Sequence, residues 1–275
     1  MNKKTAALAV LLLAALFTAG RLYWSSQAKK NIIAKILVVV SNVSEIPGRG
    51  VETGLWASEL LEPLRMYRHA GLGFEIASPT GGSFTCDQKS YDTSFVSEVT
   101  SHYLTPVIEK YRKSMEVSLP LSSLNPDDYD ALYIAGGCGS LWDLANDKTL
   151  PGIISDFHGK GKPVAAISQA AVCLCNVLDA KGLLLFRGYR VTGFSDREAS
   201  LIDMADFPLS VEKKLKSCGF SYQAASPWDP NVVSDRKLIT GQNPASVTQL
   251  MRILIQELIP PDENGVLYDD CLPDF

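Results

Sequence analysis

Histidine is scarce: the 275-residue chain holds three, His69, His102 and His158. A site built on several imidazoles, whether a zinc centre or a proton relay, has little to draw on. A large excess of charge of one sign is missing as well. Lys and Arg number 26 against 30 Asp and Glu, a net charge of −4, so no general basic field draws the chain to nucleic acid. The six cysteines are Cys86, Cys138, Cys173, Cys175, Cys218 and Cys271; no Cys-x-x-Cys pair occurs, and their scatter lacks the density of a disulfide-stapled scaffold. Cys173 and Cys175 are separated by one residue, which suits neither a redox nor a zinc motif. Buried free thiols are the expectation, with no metal and no cofactor.

Long apolar runs are absent but for the one near the start. Residues 1–20, MNKKTAALAVLLLAALFTAG, place two lysines before a small and apolar stretch from Ala6 to Ala19. That is shorter than the roughly 20 residues of a spanning helix. Thr18 and Gly20 supply small side chains where a signal peptidase acts, so a cleaved signal peptide is the first expectation. An uncleaved signal anchor, with Tyr23 and Trp24 at the interface, is the second. The protein is therefore expected to be secreted or otherwise extracytoplasmic, or membrane-anchored through residues 1–20 alone. Residues 21–34 read as a linker, 35–258 as one domain, and 259–275 as an acidic C-terminal tail.

Within the domain, β-like and helical stretches alternate. Lys35 to Ser41, KILVVVS, reads as a buried first strand, followed by a helix starting near Thr53 with Leu55, Trp56, Leu60, Leu61, Leu64 and Tyr67 on one broad side. GFEIASPTGG is a second strand and turn; residues 85–125 form a polar, partly helical insertion. Ala131 to Ala135 is a strand running into Gly136-Gly137-Cys138-Gly139, with a helix holding Leu141, Trp142 and Leu144 expected next. A hairpin then leads to a final helix over Ala245 to Leu258. Such alternation predicts an α/β fold with a mostly parallel sheet covered on both faces and any ligand at the carboxyl ends of the strands.

The stretch that organises the rest is PVAAISQAAVCLCN, Pro163 to Asn176. An apolar strand breaks at Ser168-Gln169 and gives way to a small-residue helical start, the pattern that raises a nucleophile on a strand-to-helix turn. Gly136, Gly137 and Gly139 supply backbone N–H groups suited to an oxyanion. Glu59 lies at the margin of the first helix's apolar side.

Taken in order, TGLWASELLEP, ASPTGG, DYDALYIAGGCGSLWDL, KPVAAISQAA, VTGFSDRE and LITGQNPAS resemble the PfpI/ThiJ superfamily, whose fold is class I glutamine amidotransferase-like. The resemblance is strongest to the branch of heat-inducible chaperones and glyoxalase III enzymes, and SDRKLITGQN resembles the animal glutamine amidotransferase-like class 1 domain proteins. It implies a flavodoxin-like three-layer sandwich with a mostly parallel central sheet, often dimeric, whose active members convert methylglyoxal to lactate at a cofactor-free site. Those members carry Cys-His-Gly at the elbow; the matching positions here are Ser168, Gln169 and Ala170. Counted from Thr192, the superfamily's further acid falls on Ala199, with Glu198 one place early.

A serine hydroxyl needs an adjacent base, and Gln169 cannot take a proton. The expected function is thus non-catalytic binding of a small molecule or a protein partner, by a pseudoenzyme that forms a homodimer or joins a larger complex. One alternative is a glyoxalase III or deglycase-type enzyme acting on a small α-oxoaldehyde through another residue, Cys138, tuned by Glu59. A holdase chaperone is the other.

Overall fold

The computed structural model describes residues 32–91, 117–202 and 207–259. The expected signal segment, most of the insertion including His102, and nearly all of the acidic tail lie outside the described residues. Among the described residues, no helix is long and apolar enough to cross a membrane.

Seven strands form the central sheet: β1 (Lys35–Val39), β2 (Gly73–Ser78), β3 (Leu119–Pro120), β4 (Ala131–Ile134), β5 (Val164–Ile167), β6 (Val232–Asp235) and β7 (Leu238–Gly241). Their order is β6-β7-β5-β4-β1-β2-β3, parallel throughout except for the β6/β7 hairpin. From β1 the chain first builds outward through β2 and β3, then returns to β4 on the other side. The β1/β4 boundary is therefore the switch point, and the region beyond the carboxyl ends of the strands there is the crevice in which folds of this kind bind ligands.

Strand alternation sorts the core into two faces. Ile36, Val38, Tyr133, Ala165, Ile167 and Ile239 pack with α1 (Ser58–His69) and α5 (Val247–Leu258), through Leu60, Leu61, Leu64, Leu250 and Leu254. Leu37, Val39, Leu132, Ile134, Val164 and Ala166 face α2 (Leu150–Gly159), the segment Ser168–Asn176 and α4 (Val211–Ser217). A one-turn helix, α3 (Asp196–Ala199), precedes α4. The expected three-layer α/β sandwich is present.

Local structure departs from the sequence-based expectation in three places. The first helix starts at Ser58, not near Thr53, because Leu55 is held in an extended bridge with Cys86. Its N–H bonds Thr85 O at 3.1 Å and its carbonyl accepts from Asp87 N at 2.8 Å. After the glycine turn there are two 3₁₀ turns, Cys138–Leu141 and Leu144–Asn146, in place of an α-helix. Polar groups interrupt the ladder there: Gly139 N donates to Gly54 O, Ser140 Oγ donates to Gly137 O, and Asp143 accepts from both Leu144 N and Asn42 N. The final helix begins at Val247 after a 3₁₀ turn over Pro244–Ser246.

Pro63 sits inside α1. It has no N–H, so the carbonyl four residues back, Glu59 O, loses its intrahelical donor. The hydroxyl of Tyr133, on β4, donates to that carbonyl instead. The helix is thereby tied to the sheet within its first turn.

Tyr133→Phe should cost about 1–3 kcal/mol by leaving a buried carbonyl without a donor. In a Pro63→Ala background the restored backbone N–H serves that carbonyl, and the cost should shrink to a fraction. Urea unfolding of the four proteins reads this; equal costs in both backgrounds would disprove the compensation.

Candidate active site

Register brings the candidate residues together. Val39 pairs with Ile134 and Ile134 with Ala166, so the chain leaves β1, β4 and β5 at nearly one level. Gly136 follows β4 and Ser168 follows β5 directly. Glu59, in the first turn of α1, completes the group.

Ser168 has φ 59°, the left-handed region that a non-glycine residue occupies only under constraint. It is the strand-to-turn elbow expected from the sequence. Its carbonyl accepts from Phe194 N at 3.2 Å, which ties the elbow to the loop after the short strand Arg190–Val191. The turn continues as 3₁₀ helix to Asn176, with Ala170, Cys173 and Cys175 buried as core.

Space explains the first two glycines. A Cβ on Gly136 would stand 2.2 Å from Glu59 Oε2 and 2.9 Å from Ser168 Cβ. Gly137 has φ 121°, and a Cβ there would meet Gly54 O, Leu55 Cα and Trp56 N, each at 2.5 Å. These positions let helix, turn and elbow close upon one another. Gly139 is placed differently from the oxyanion expectation, since its N–H already serves Gly54 O at 3.1 Å.

Glu59 is fully buried, and neither carboxyl oxygen has a hydrogen-bond partner of good geometry. Desolvation raises its pKa to about 8; the neighbouring Ser168 hydroxyl lowers it in part and the charge of Glu198 adds to the rise. At neutral pH it is mostly the protonated acid, able to donate a hydrogen bond as well as to accept one. Ser168 Oγ donates to Gln169 Oε1 at 2.6 Å, and Gln169 Nε2 in turn reaches Cys138 Sγ at 3.7 Å. Serine, glutamine and cysteine thus form one polar chain across the crevice. Burial, with Asp87 and Glu59 nearby, raises the Cys138 pKa far above its usual range. Cys138 is a neutral thiol here, and among the described residues no base stands beside the Ser168 hydroxyl, which is hydrogen-bonded to an amide carbonyl.

Counting along the sequence placed the further acid at Ala199; the buried carboxyl belongs to Glu198. The Ser195-x-x-Glu198 spacing is a capping box, and that signal was available in the sequence. Glu198 Oε2 accepts from Ser195 N and Oγ, while Oε1 accepts from Asn243 Nδ2 at 2.8 Å and Trp228 N at 3.0 Å. One carboxylate therefore fastens α3, the Trp228 loop and the turn before α5. Ala199 instead lines a neighbouring groove with Phe194, Phe207, Leu209 and Val211.

The other histidines stand apart from the elbow. His158, near the end of α2, hydrogen-bonds Tyr189 OH at 3.1 Å and packs edge-on to Phe186. His69 ends α1.

A buried acid beneath a strained strand-to-helix elbow, at the switch point of a parallel sheet, defines the class: an α/β protein of the elbow-nucleophile type. The chain belongs to the DJ-1/PfpI family, whose model matches residues 51–257. β1 precedes the matched span yet pairs with β2 and β4 in the same sheet. "Glyoxalase 3" of Candida albicans is 28% identical over 225 residues, 79% of this chain and 95% of its own. The Bos taurus "Glutamine amidotransferase-like class 1 domain-containing protein 1" is 31% identical over 188 residues, 68% of this chain and 80% of its own. Among solved structures, Rapid Encystment Protein 24 KDa of Francisella tularensis superposes with a TM-score of 0.75 at 31% identity, covering 82% of this chain and 99% of that one.

The Glu59 shift carries a pH signature. Its native pKa lies above the unfolded value, so the native state keeps a proton that the unfolded chain releases. Stability is fullest below the ordinary carboxyl pKa and falls as pH rises toward about 8. Glu59→Gln should remove that fall and exceed the parent stability at pH 8.5 by up to about 4 kcal/mol, with little difference at pH 4.5. Urea unfolding at both pH values is the measurement; parallel pH dependences in the two proteins would mean that Glu59 is ionised.

Proposed function

We propose that this chain is a glyoxalase III-related binding protein, which holds a small carbonyl compound such as a 2-oxoaldehyde at the elbow without thiolate turnover. The observation that carries the proposal is the pairing of Ser168 at φ 59° with a fully buried Glu59. A strained elbow of this kind costs of order 1–3 kcal/mol and persists where surrounding contacts over-determine it. Its residues, however, are a hydroxyl without a base and an amide. A protonated Glu59 and the Gln169 amide N–H offer donors to a carbonyl oxygen; no group in the trio Ser168, Gln169 and Cys138 offers an anionic nucleophile at neutral pH. Loss of a nucleophile or its base in a hydroxyl-based site lowers turnover by about 10⁶.

Turnover through Cys138 is the second reading, favoured by the extent of the match to "Glyoxalase 3" of Candida albicans. In that reading ligand binding would have to draw the thiol's proton away, since burial holds it in place. The location proposed for either reading, export or tethering, rests on the lysines and apolar run of residues 1–20.

The test is lactate formation from methylglyoxal by the full chain, beside Cys138→Ala and a Ser168→Cys/Gln169→His double variant, with hydroxyacetone as an unreactive probe in an NMR titration. Silence in the parent, probe shifts in the crevice and activity in the double variant are expected. Parent activity lost in Cys138→Ala would replace the proposal with the enzymatic reading, and absence of probe shifts would end the binding reading.

A further inference from the structure

The segment that follows the elbow is packed against α4, and each brings a cysteine to the contact. Cys175 is the penultimate residue of Ser168–Asn176; Cys218 is the C-cap of α4. Their groups converge on one carbonyl. Cys175 Sγ lies 3.7 Å from Lys214 O, and Cys218 N donates to the same oxygen at 3.0 Å. Sharing Lys214 O puts the two cysteines side by side, and both are free. Neither side chain has another chemical task in the crevice, since the polar chain there runs through Ser168, Gln169 and Cys138.

We propose that Cys175 and Cys218 are a redox-active pair that closes to a disulfide, stapling the elbow segment to α4. Of the two, Cys218 is the more exposed, at 8% against 3% for Cys175, and it sits at a helix end. It is therefore the thiol that meets the oxidant, a low-molecular-weight disulfide. In the first step Cys218, deprotonated as it reacts, attacks one sulfur of that disulfide; a protein–small-molecule S–S bond forms and one small thiolate leaves with the proton. In the second, Cys175 attacks Cys218 Sγ, the internal S–S bond forms, and the second small thiol departs with the Cys175 proton. Two protein thiols have then lost two electrons and two protons, and one small disulfide has become two thiols.

The staple would act on more than stability. α4 begins beside the groove that Ala199 lines: Val211 and its N-cap Ser210 form part of the wall, and Ser210 Oγ donates to Asp196 on α3. Glu212, also on α4, accepts from Asp196 N at 2.9 Å. Closing the pair fixes one wall of that groove to the segment carrying Ser168.

The experiment incubates the full chain with oxidised glutathione at graded ratios to reduced glutathione, followed by acid quench and mass spectrometry of the intact and digested protein. The expected result is loss of two hydrogens from the intact mass, a Cys175–Cys218 cross-linked peptide, full reversal by dithiothreitol, and a raised unfolding midpoint in the oxidised form. Cys218→Ser should abolish the cross-link, while Cys175→Ser should stop at the glutathione adduct on Cys218. That trapped adduct also shows that the variant's site has kept its shape. Circular dichroism of each reduced variant checks that it is folded. A native chain that stays fully reduced, or whose cross-link joins other cysteines, overturns the proposal.

Discussion

A carboxyl group with no access to water, wedged between a turn and an elbow, is the constraint on which the rest of this structure depends. Glu59 must enter the crevice without a hydrogen-bond partner, so everything around it is shaped to keep it there. Gly136 gives up its side chain to make room, and Gly137 bends the turn under α1. Pro63 frees the carbonyl of Glu59 from the helix ladder, and Tyr133 takes that carbonyl to the sheet. The backbone of the acid is thereby anchored while its side chain is held neutral by burial.

That arrangement separates shape from reactivity. The elbow keeps a left-handed residue at the end of β5 and keeps the acid behind it, both features of an α/β site built for nucleophilic chemistry. The side chains on the elbow are tied to one another: Ser168 donates a hydrogen bond to an amide oxygen, and Gln169 extends to a thiol whose pKa burial raises. Membership of the DJ-1/PfpI family accounts for the frame, and side-chain identity at the elbow for the contacts made within it.

Around the crevice, a second layer of contacts makes the loops behave as one body. Glu198 gathers Ser195, Asn243 and the Trp228 backbone; the same loop donates Phe194 N to the elbow. α4 closes over the elbow segment with Cys218 against Cys175. Geometry at Ser168 thus responds to groups far along the chain, from residue 175 to residue 243.

The layer order, the parallel sheet and the elbow at Ser168 were legible in the sequence, because buried strands, glycine turns and strand-to-helix breaks are written in contiguous residues. Glu59 and the glycine turn stood out in the sequence too, and the fold packs both against the elbow. The start of α1 was not legible, since Leu55 joins a bridge to Cys86, a residue that no local pattern connects to it. The capping box was legible at Ser195 and Glu198, but the bonds of Glu198 to Asn243 and to the Trp228 backbone were not, since they join residues remote in sequence. The sequence by itself determined which groups are present, since side-chain identity sets what can donate, accept or ionise. Only the tertiary structure decided that burial raises the pKa of Glu59 and of Cys138, and that Cys175 and Cys218 converge on the carbonyl of Lys214. Those properties come from burial and from distances between residues remote in sequence, and no stretch of neighbouring letters carries them.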